Sequence, residues 1–197
     1  FLGSGSVIHS LNNEQDVRLM GDLWKRMPIT WFAMVVGTLA LTGFPFLSGF
    51  YSKDAIIEFA FLKGTNVGYF AAGIGIMTAV LTALYSWRLI FKTFHGKFNN
   101  KNLSKSEIHE SGLTITIPLV LLVVVSIFSG FLFKEFLIGH DYNNFWRDSI
   151  LILEKFDHSG IPLWLLVITP FFVTILIPAS FYFCLLYTSP SPRDRSL

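Results

Sequence analysis

Four stretches of this chain carry no acidic or basic side chain: Ile29–Tyr51, Gly64–Trp87, Ser111–Phe133 and Ser159–Pro192, of 23, 24, 23 and 34 residues. All 15 basic and 13 acidic residues fall elsewhere. A bilayer core of roughly 30 Å takes about 20 apolar helical residues to cross. Only 14% of the chain is charged, about half the share usual in a soluble domain, and its mean hydropathy is +0.56. The pattern excludes an ordinary soluble globular domain and predicts an all-α membrane protein with four spans.

The first apolar segment sets a further constraint. From Ile29 it runs on to Leu62, 34 residues, about 51 Å as one straight helix and too long for a bilayer. Pro28 suits the first turn of its helix. Gly43-Phe44-Pro45 and Ser48-Gly49 interrupt the segment. Two readings fit: a broken helix within the membrane, or a helix ending near Gly43 followed by an outside loop. Phe44, Phe46, Leu47 and Phe50 keep the interruption apolar and favour the break, which requires other protein or a water-filled cavity to satisfy the freed backbone.

The expected domain is a partial transmembrane domain over 1–186, with spans 29–62 (broken), 67–94, 113–133 and 161–186. In the second span Ala71, Gly75, Ala79 and Ala83 form a small-residue ridge suited to close helix packing. Pro170 and Pro178 predict kinks in the fourth. Segment 134–159 is too charged to cross. Trp146, Ile150, Leu153 and Phe156 recur in it at helical spacing, as in an interfacial helix. Successive crossings place Ser10–Met27 and His95–Gly112 on one side, with Arg18, Lys25, Arg26, Lys97, Lys101 and Lys105. Lys63, Lys134, Arg147 and Lys155 fall on the other, so the positive-inside rule puts the first side in the cytoplasm or the mitochondrial matrix. The start at Phe1 suggests a piece of a longer protein. Residues 187–197 change composition abruptly and read as a non-native tail.

Composition limits the chemistry. One cysteine, Cys184, supplies neither an intramolecular disulfide nor a metal cluster. A net charge of +2, scattered along the chain, gives no nucleic-acid footprint. No phosphate loop, dinucleotide fingerprint, nucleophile elbow or haem-attachment motif occurs. His95, His109, His140 and His158 lie in connecting segments, where solvated roles are expected, and match no metal spacing.

Lys53 and Asp54 stand apart, directly after the break, with Glu58 four residues beyond Asp54. In the structural reading Lys53 ends a span by snorkelling to the interface. In the functional reading the span continues to Leu62, and Lys53 lies inside the membrane beside unwound backbone, where it can exchange a proton with buried water. His9, one residue beyond an apolar helical stretch, is either an interface residue or part of a proton relay.

Three stretches together resemble a known family: FLGSGSVIHSLNNEQDVRLMG (1–21), LALTGFPFLSGFYSKDAIIE (39–58) and LYSWRLIFKTFHG (84–96). They look like the proton-pumping antiporter-like subunits of respiratory complex I, called subunit L in bacteria and chain 5 in mitochondria. IHESGLTITIPLVLLVVVSIFSGF is similar to the family's next span, with Gly112 at the usual proline position. The resemblance covers about Phe1–Cys184. It implies an antiporter-like transmembrane helix bundle built from inverted repeats with discontinuous helices, of which this chain holds part of the second repeat.

It also implies roles. Lys53 matches the lysine in the broken helix, Asp54 is its motif neighbour, and His9 matches a histidine of the mid-membrane polar axis; Asn13 stands where some members carry a second histidine, and cannot hold a proton there. The implied function is proton translocation within NADH:quinone oxidoreductase, with the other membrane subunits and the bilayer as partners. FMN and iron–sulfur clusters would lie in partner subunits, with no cofactor in this chain. Multi-pass residence in a bacterial plasma membrane or mitochondrial inner membrane follows. The competing functions are a subunit of a multisubunit sodium/proton antiporter and a membrane anchor without transport.

Overall fold

A computed structural model describes residues 1–100, 108–137, 145–147, 149 and 162–186. Among them every regular element is helical: α1 (Leu2–Ser10), α2 (Pro28–Thr42), α3 (Ser48–Leu62), α4 (Asn66–Ile90), α5 (Leu113–Leu137) and α6 (Leu163–Phe181). α4 and α6 each end in a five-residue π-helical turn, Phe91–His95 and Tyr182–Leu186. Among the described residues, three helical stretches are long and apolar enough to cross a membrane: Asn66–His95, Leu113–Lys134 and Leu163–Leu185. α2 is apolar but has only 15 residues, about 22 Å at 1.5 Å per residue. Most of segment 134–159 and all of 187–197 lie outside the described residues. α5 runs through Lys134 to Leu137, one turn past the uncharged run. α6 passes through Pro170 and Pro178 without ending.

Helix ends follow local chemistry. α2 starts at Pro28, where a missing N–H costs nothing. Asn12 and Asn13, with φ of 53° and 65°, follow α1, since asparagine tolerates the left-handed region. Gly64, at φ 64°, closes α3, and the Thr65 hydroxyl oxygen accepts the Gly68 N–H at 3.1 Å to cap α4.

The chain divides into two compact units, 1–35 with 83–121 and 175–197, and 36–82 with 122–174. In the first, Leu23, Met27, Ile90 and Phe94 are fully buried. The connections 11–27 and 96–112 meet here: the Trp24 N–H donates to the Phe94 carbonyl at 3.4 Å and the Asn99 N–H to the Leu19 carbonyl at 3.3 Å. They share a side, as successive crossings require. The NNEQD motif builds a turn in which Glu14 Oε1 accepts the N–H groups of Gln15 and Asp16. Hydrogen bonds from Arg18 hold the Asp16 carboxyl below the usual carboxylate range.

In the second unit α3 packs on α4 and α6 through Ile57, Ala72 and Leu165, flanked by Ala60, Phe61 and Ile76. Phe61 meets Tyr69 and Trp164 edge-on at 5.0 and 5.8 Å. The small ridge of α4 is the buried one: Ala79 and Ala83 are 1% and 0% exposed, while Ala71 lies outside it. Phe70, Met77, Leu121, Phe131 and Leu163 are all more than half exposed, an apolar exterior suited to lipid or further helices rather than water.

Gly21 lies against the second connection: a Cβ there would meet the Lys97 carbonyl carbon at 2.4 Å and the Gly96 oxygen at 2.7 Å. Gly112 has open space. We predict that Gly21→Ala destabilises the protein by about 1–3 kcal/mol, read as a lowered melting temperature in detergent, while Gly112→Ala melts within a degree or so of the parent. Equal melting of both variants would contradict the packing of the two connections.

Candidate functional site

The break between α2 and α3 is built from the last carbonyls of α2. Gly43, at φ 82°, takes the left-handed conformation that ends a helix at little cost to glycine. The Phe44 N–H then reaches the Leu39 carbonyl at 2.9 Å and the Gly43 N–H the Ala40 carbonyl at 3.2 Å, the paired bonds of a Schellman end. The Thr42 hydroxyl donates to Leu39 as well, at 3.1 Å. Of the remaining end carbonyls, Leu41 receives Lys53 Nζ, which donates to it at 3.4 Å. A cation at the carbonyl end of a helix also meets the negative pole of its dipole. Pro45 cannot continue the ladder. Phe46 stands at φ 72°, an uncommon conformation for an aromatic residue, and is 79% exposed.

α3 then begins hard against α2. A Cβ at Gly49 would lie 1.8 Å from the Ala40 carbonyl oxygen, so only glycine fits. α5 approaches the same turn: a Cβ at Gly130 would meet Ser48 Cα at 2.7 Å and Tyr51 Cδ2 at 2.8 Å. From the last turn of α5, Lys134 Nζ sits over the Tyr51 ring, 5.4 Å from its centre. Lys53 is half-buried one turn into α3, with its Cδ 3.5 Å from the place a Gly43 Cβ would take. Asp54 is 9% exposed, and its Oδ2 is buried without a hydrogen-bond donor among the described residues. Such an atom calls for water or a donor from another segment.

His9 is exposed on α1, in the first unit, whereas Lys53 and Asp54 belong to the second. His95 departs from the solvated role its connecting position suggested. The imidazole ends the π turn half-buried among the rings of Trp24 (6.3 Å), Trp31 (6.1 Å) and Phe91 (5.9 Å). The signal was present in Trp87, Phe91 and His95, four residues apart on one helical face. No group of three metal-binding side chains occurs among the described residues.

Residues 1–82 match the family described as "NADH:quinone oxidoreductase/Mrp antiporter, TM", and residues 85–144 match "NADH dehydrogenase subunit 5 C-terminus". The NADH-ubiquinone oxidoreductase chain 5 of Chondrus crispus is 47% identical over 163 residues, covering 79% of this chain and 24% of that protein. The protein of that name in Dictyostelium citrinum is 42% identical over 195 residues, covering 93% and 28%. In Marchantia polymorpha the figures are 46% over 155 residues, 79% and 23%. This chain belongs to the family of antiporter-like membrane subunits of NADH:quinone oxidoreductase. It spans about a quarter of the length of the curated relatives it matches.

Family membership, the all-helical architecture and the three long apolar helices make it an integral multi-pass membrane protein with an antiporter-like bundle. The GFP and SGFYSKD runs that carried the resemblance are the break itself. The sequence singles out Lys53 and Asp54 but not the contacts around the break: Lys53 with Leu41, Gly49 with Ala40, and Gly130 with Ser48 and Tyr51. Gly49 was readable as a helix interruption; its contact with Ala40, nine residues away, was not.

Gly49→Ala must push the start of α3 off the end of α2 and stretch the bond from Lys53 to Leu41. We predict a loss of about 2 kcal/mol or more, seen as a lowered melting temperature, together with faster acylation of Lys53 by an amine-directed reagent. Unchanged melting and labelling would contradict the close approach.

Proposed function

We propose that this chain is the discontinuous-helix portion of a proton-translocating membrane subunit of NADH:quinone oxidoreductase, in which quinone reduction elsewhere drives protons through Lys53, with Asp54 and His9 as further members of the path. The observation that carries the proposal is the Lys53 ammonium on the Leu41 carbonyl at the helix break, beside a buried Asp54 oxygen that has no donor among the described residues. An ionisable side chain held in an otherwise apolar segment is costly and marks an ion path by default. An ammonium has three donors. One serves Leu41, and the others can pass a proton to water. A neutral amine still donates to Leu41, so the proton can leave without unmaking the end of α2. What is lost is attraction to the helix dipole, about 0.3–1 kcal/mol. The break can therefore hold Lys53 in either protonation state.

The reaction assigned to this chain is proton transfer. FMN and iron–sulfur clusters are assigned to partner subunits, and the other membrane subunits of the complex and the bilayer are its neighbours, in a bacterial plasma membrane or the mitochondrial inner membrane. The sodium/proton antiporter reading draws support from the family description over residues 1–82, which names both classes. The subunit 5 match over 85–144 and relatives named as chain 5 favour the oxidoreductase.

In the intact complex, Lys53→Met is expected to cut NADH-driven proton pumping by about tenfold or more while the complex still assembles. Lys53→Arg keeps a cation for Leu41 but cannot release its proton, so it should restore melting behaviour and not pumping. Normal pumping by Lys53→Met would leave the anchor reading standing. Sodium-dependent transport would favour the antiporter.

A further inference from the structure

Glu110 lies just before α5, and its carboxylate reaches across to the start of α2. Glu110 Oε2 accepts the Ile29 N–H at 3.0 Å, and Oε1 accepts the Thr30 hydroxyl. Pro28 has no N–H, so Ile29 and Thr30 supply the first orphan donors of α2, and no side chain of the segment 24–27 caps them. A carboxylate from 81 residues away caps the Ile29 N–H, where the positive pole of the helix favours an anion.

The contact continues into α1. Thr30 Oγ1 pairs with Ser6 Oγ at 3.0 Å, and Ser6 Oγ pairs with Ser111 Oγ at 2.6 Å. Because Ser111 follows Glu110, the network is a closed knot and not a wire: one short segment grips α2 by a carboxylate and α1 by a hydroxyl. Ser6 and Thr30 are each 1% exposed.

The knot fixes which way α1 faces. Ser10 Oγ donates to Met27 Sδ at 3.0 Å, and a Cβ at Gly3 would meet Met34 Sδ at 2.5 Å. Gly3, Ser6 and Ser10 therefore form a small, inward ridge against α2 and its lead-in, spaced three and four residues apart, with Val7 buried beside it. Leu2, Gly5 and His9 lie on an exposed face about 100° round the helix from the ridge. A nine-residue helix with a ridge this small has little side-chain interlock to resist rotation. The Glu110–Thr30–Ser6 bonds supply the directional contacts that prevent it.

We propose that Glu110 is a positioning residue for His9: through Thr30 and Ser6 it sets the rotation of α1 and so the direction in which the imidazole is presented. The inference rests on the relay role assigned to His9 above. Neither Glu110, Thr30 nor Ser6 carries the proton.

The test uses the intact complex with Thr30→Val, which keeps the shape and removes the hydroxyl, Thr30→Ser, which keeps the hydroxyl, and Glu110→Gln, alone and combined with Thr30→Val and with His9→Ala. Melting temperature and the pH profile of NADH-driven pumping are read for each. Thr30→Val and Glu110→Gln should each slow pumping by about threefold or more and displace its pH profile, and Thr30→Ser should restore both. The Glu110→Gln and Thr30→Val pair should melt no lower than the worse single variant, because both break one knot. In the His9→Ala background Glu110→Gln should change pumping no further. Additive melting losses, or normal pumping in Thr30→Val while His9→Ala is impaired, would overturn the positioning role alone. Normal pumping in His9→Ala would remove the relay role of His9, and this proposal with it.

Discussion

A helix interrupted in an apolar segment frees backbone carbonyls that no lipid can satisfy, and the way this chain satisfies them governs the rest of the site. Leu39 and Ala40 are taken by the backbone of the turn that follows, and Leu41 by the Lys53 ammonium. That bond requires α3 to start where it does. The start requires Gly49 against Ala40 and Gly130 against Ser48 and Tyr51. A charged side chain, three glycines and a proline are thus parts of one solution to a hydrogen-bonding problem, and the proposed proton carrier also serves the helix end.

The fold was legible to the extent that it follows from transfer free energy and local stereochemistry. Uncharged runs of this length favour helices that cross or nearly cross a bilayer, and Pro28, Gly43 and Pro45 mark helix boundaries for reasons each residue carries in itself. The shared side of the two connections followed from counting crossings. The site was half legible. Lys53 and Asp54 could be named because charges are rare there, and the family resemblance placed His9.

Tertiary partners were not readable. Nothing in the local sequence of α2 says that its N-terminus is capped by Glu110, because that capping group arrives from the far end of another connection. His95 shows the same limit. A histidine after an apolar run reads as solvated, but helical continuation through a π turn carries it back among Trp24, Trp31 and Phe91. Both cases turn on contacts between segments, where residue type alone leaves several environments open.

Depth in the bilayer decides between a proton-carrying lysine and a snorkelling one. The most direct measurement is a structure of the intact complex in lipid, with the headgroup planes resolved and Lys53 located against them. Gly43–Leu47 and Lys53 Nζ are expected to lie within the hydrocarbon slab of roughly 30 Å, with the ammonium on the Leu41 carbonyl. Lys53 at the level of the lipid phosphates, with Gly43–Leu47 forming a loop in water, would contradict it.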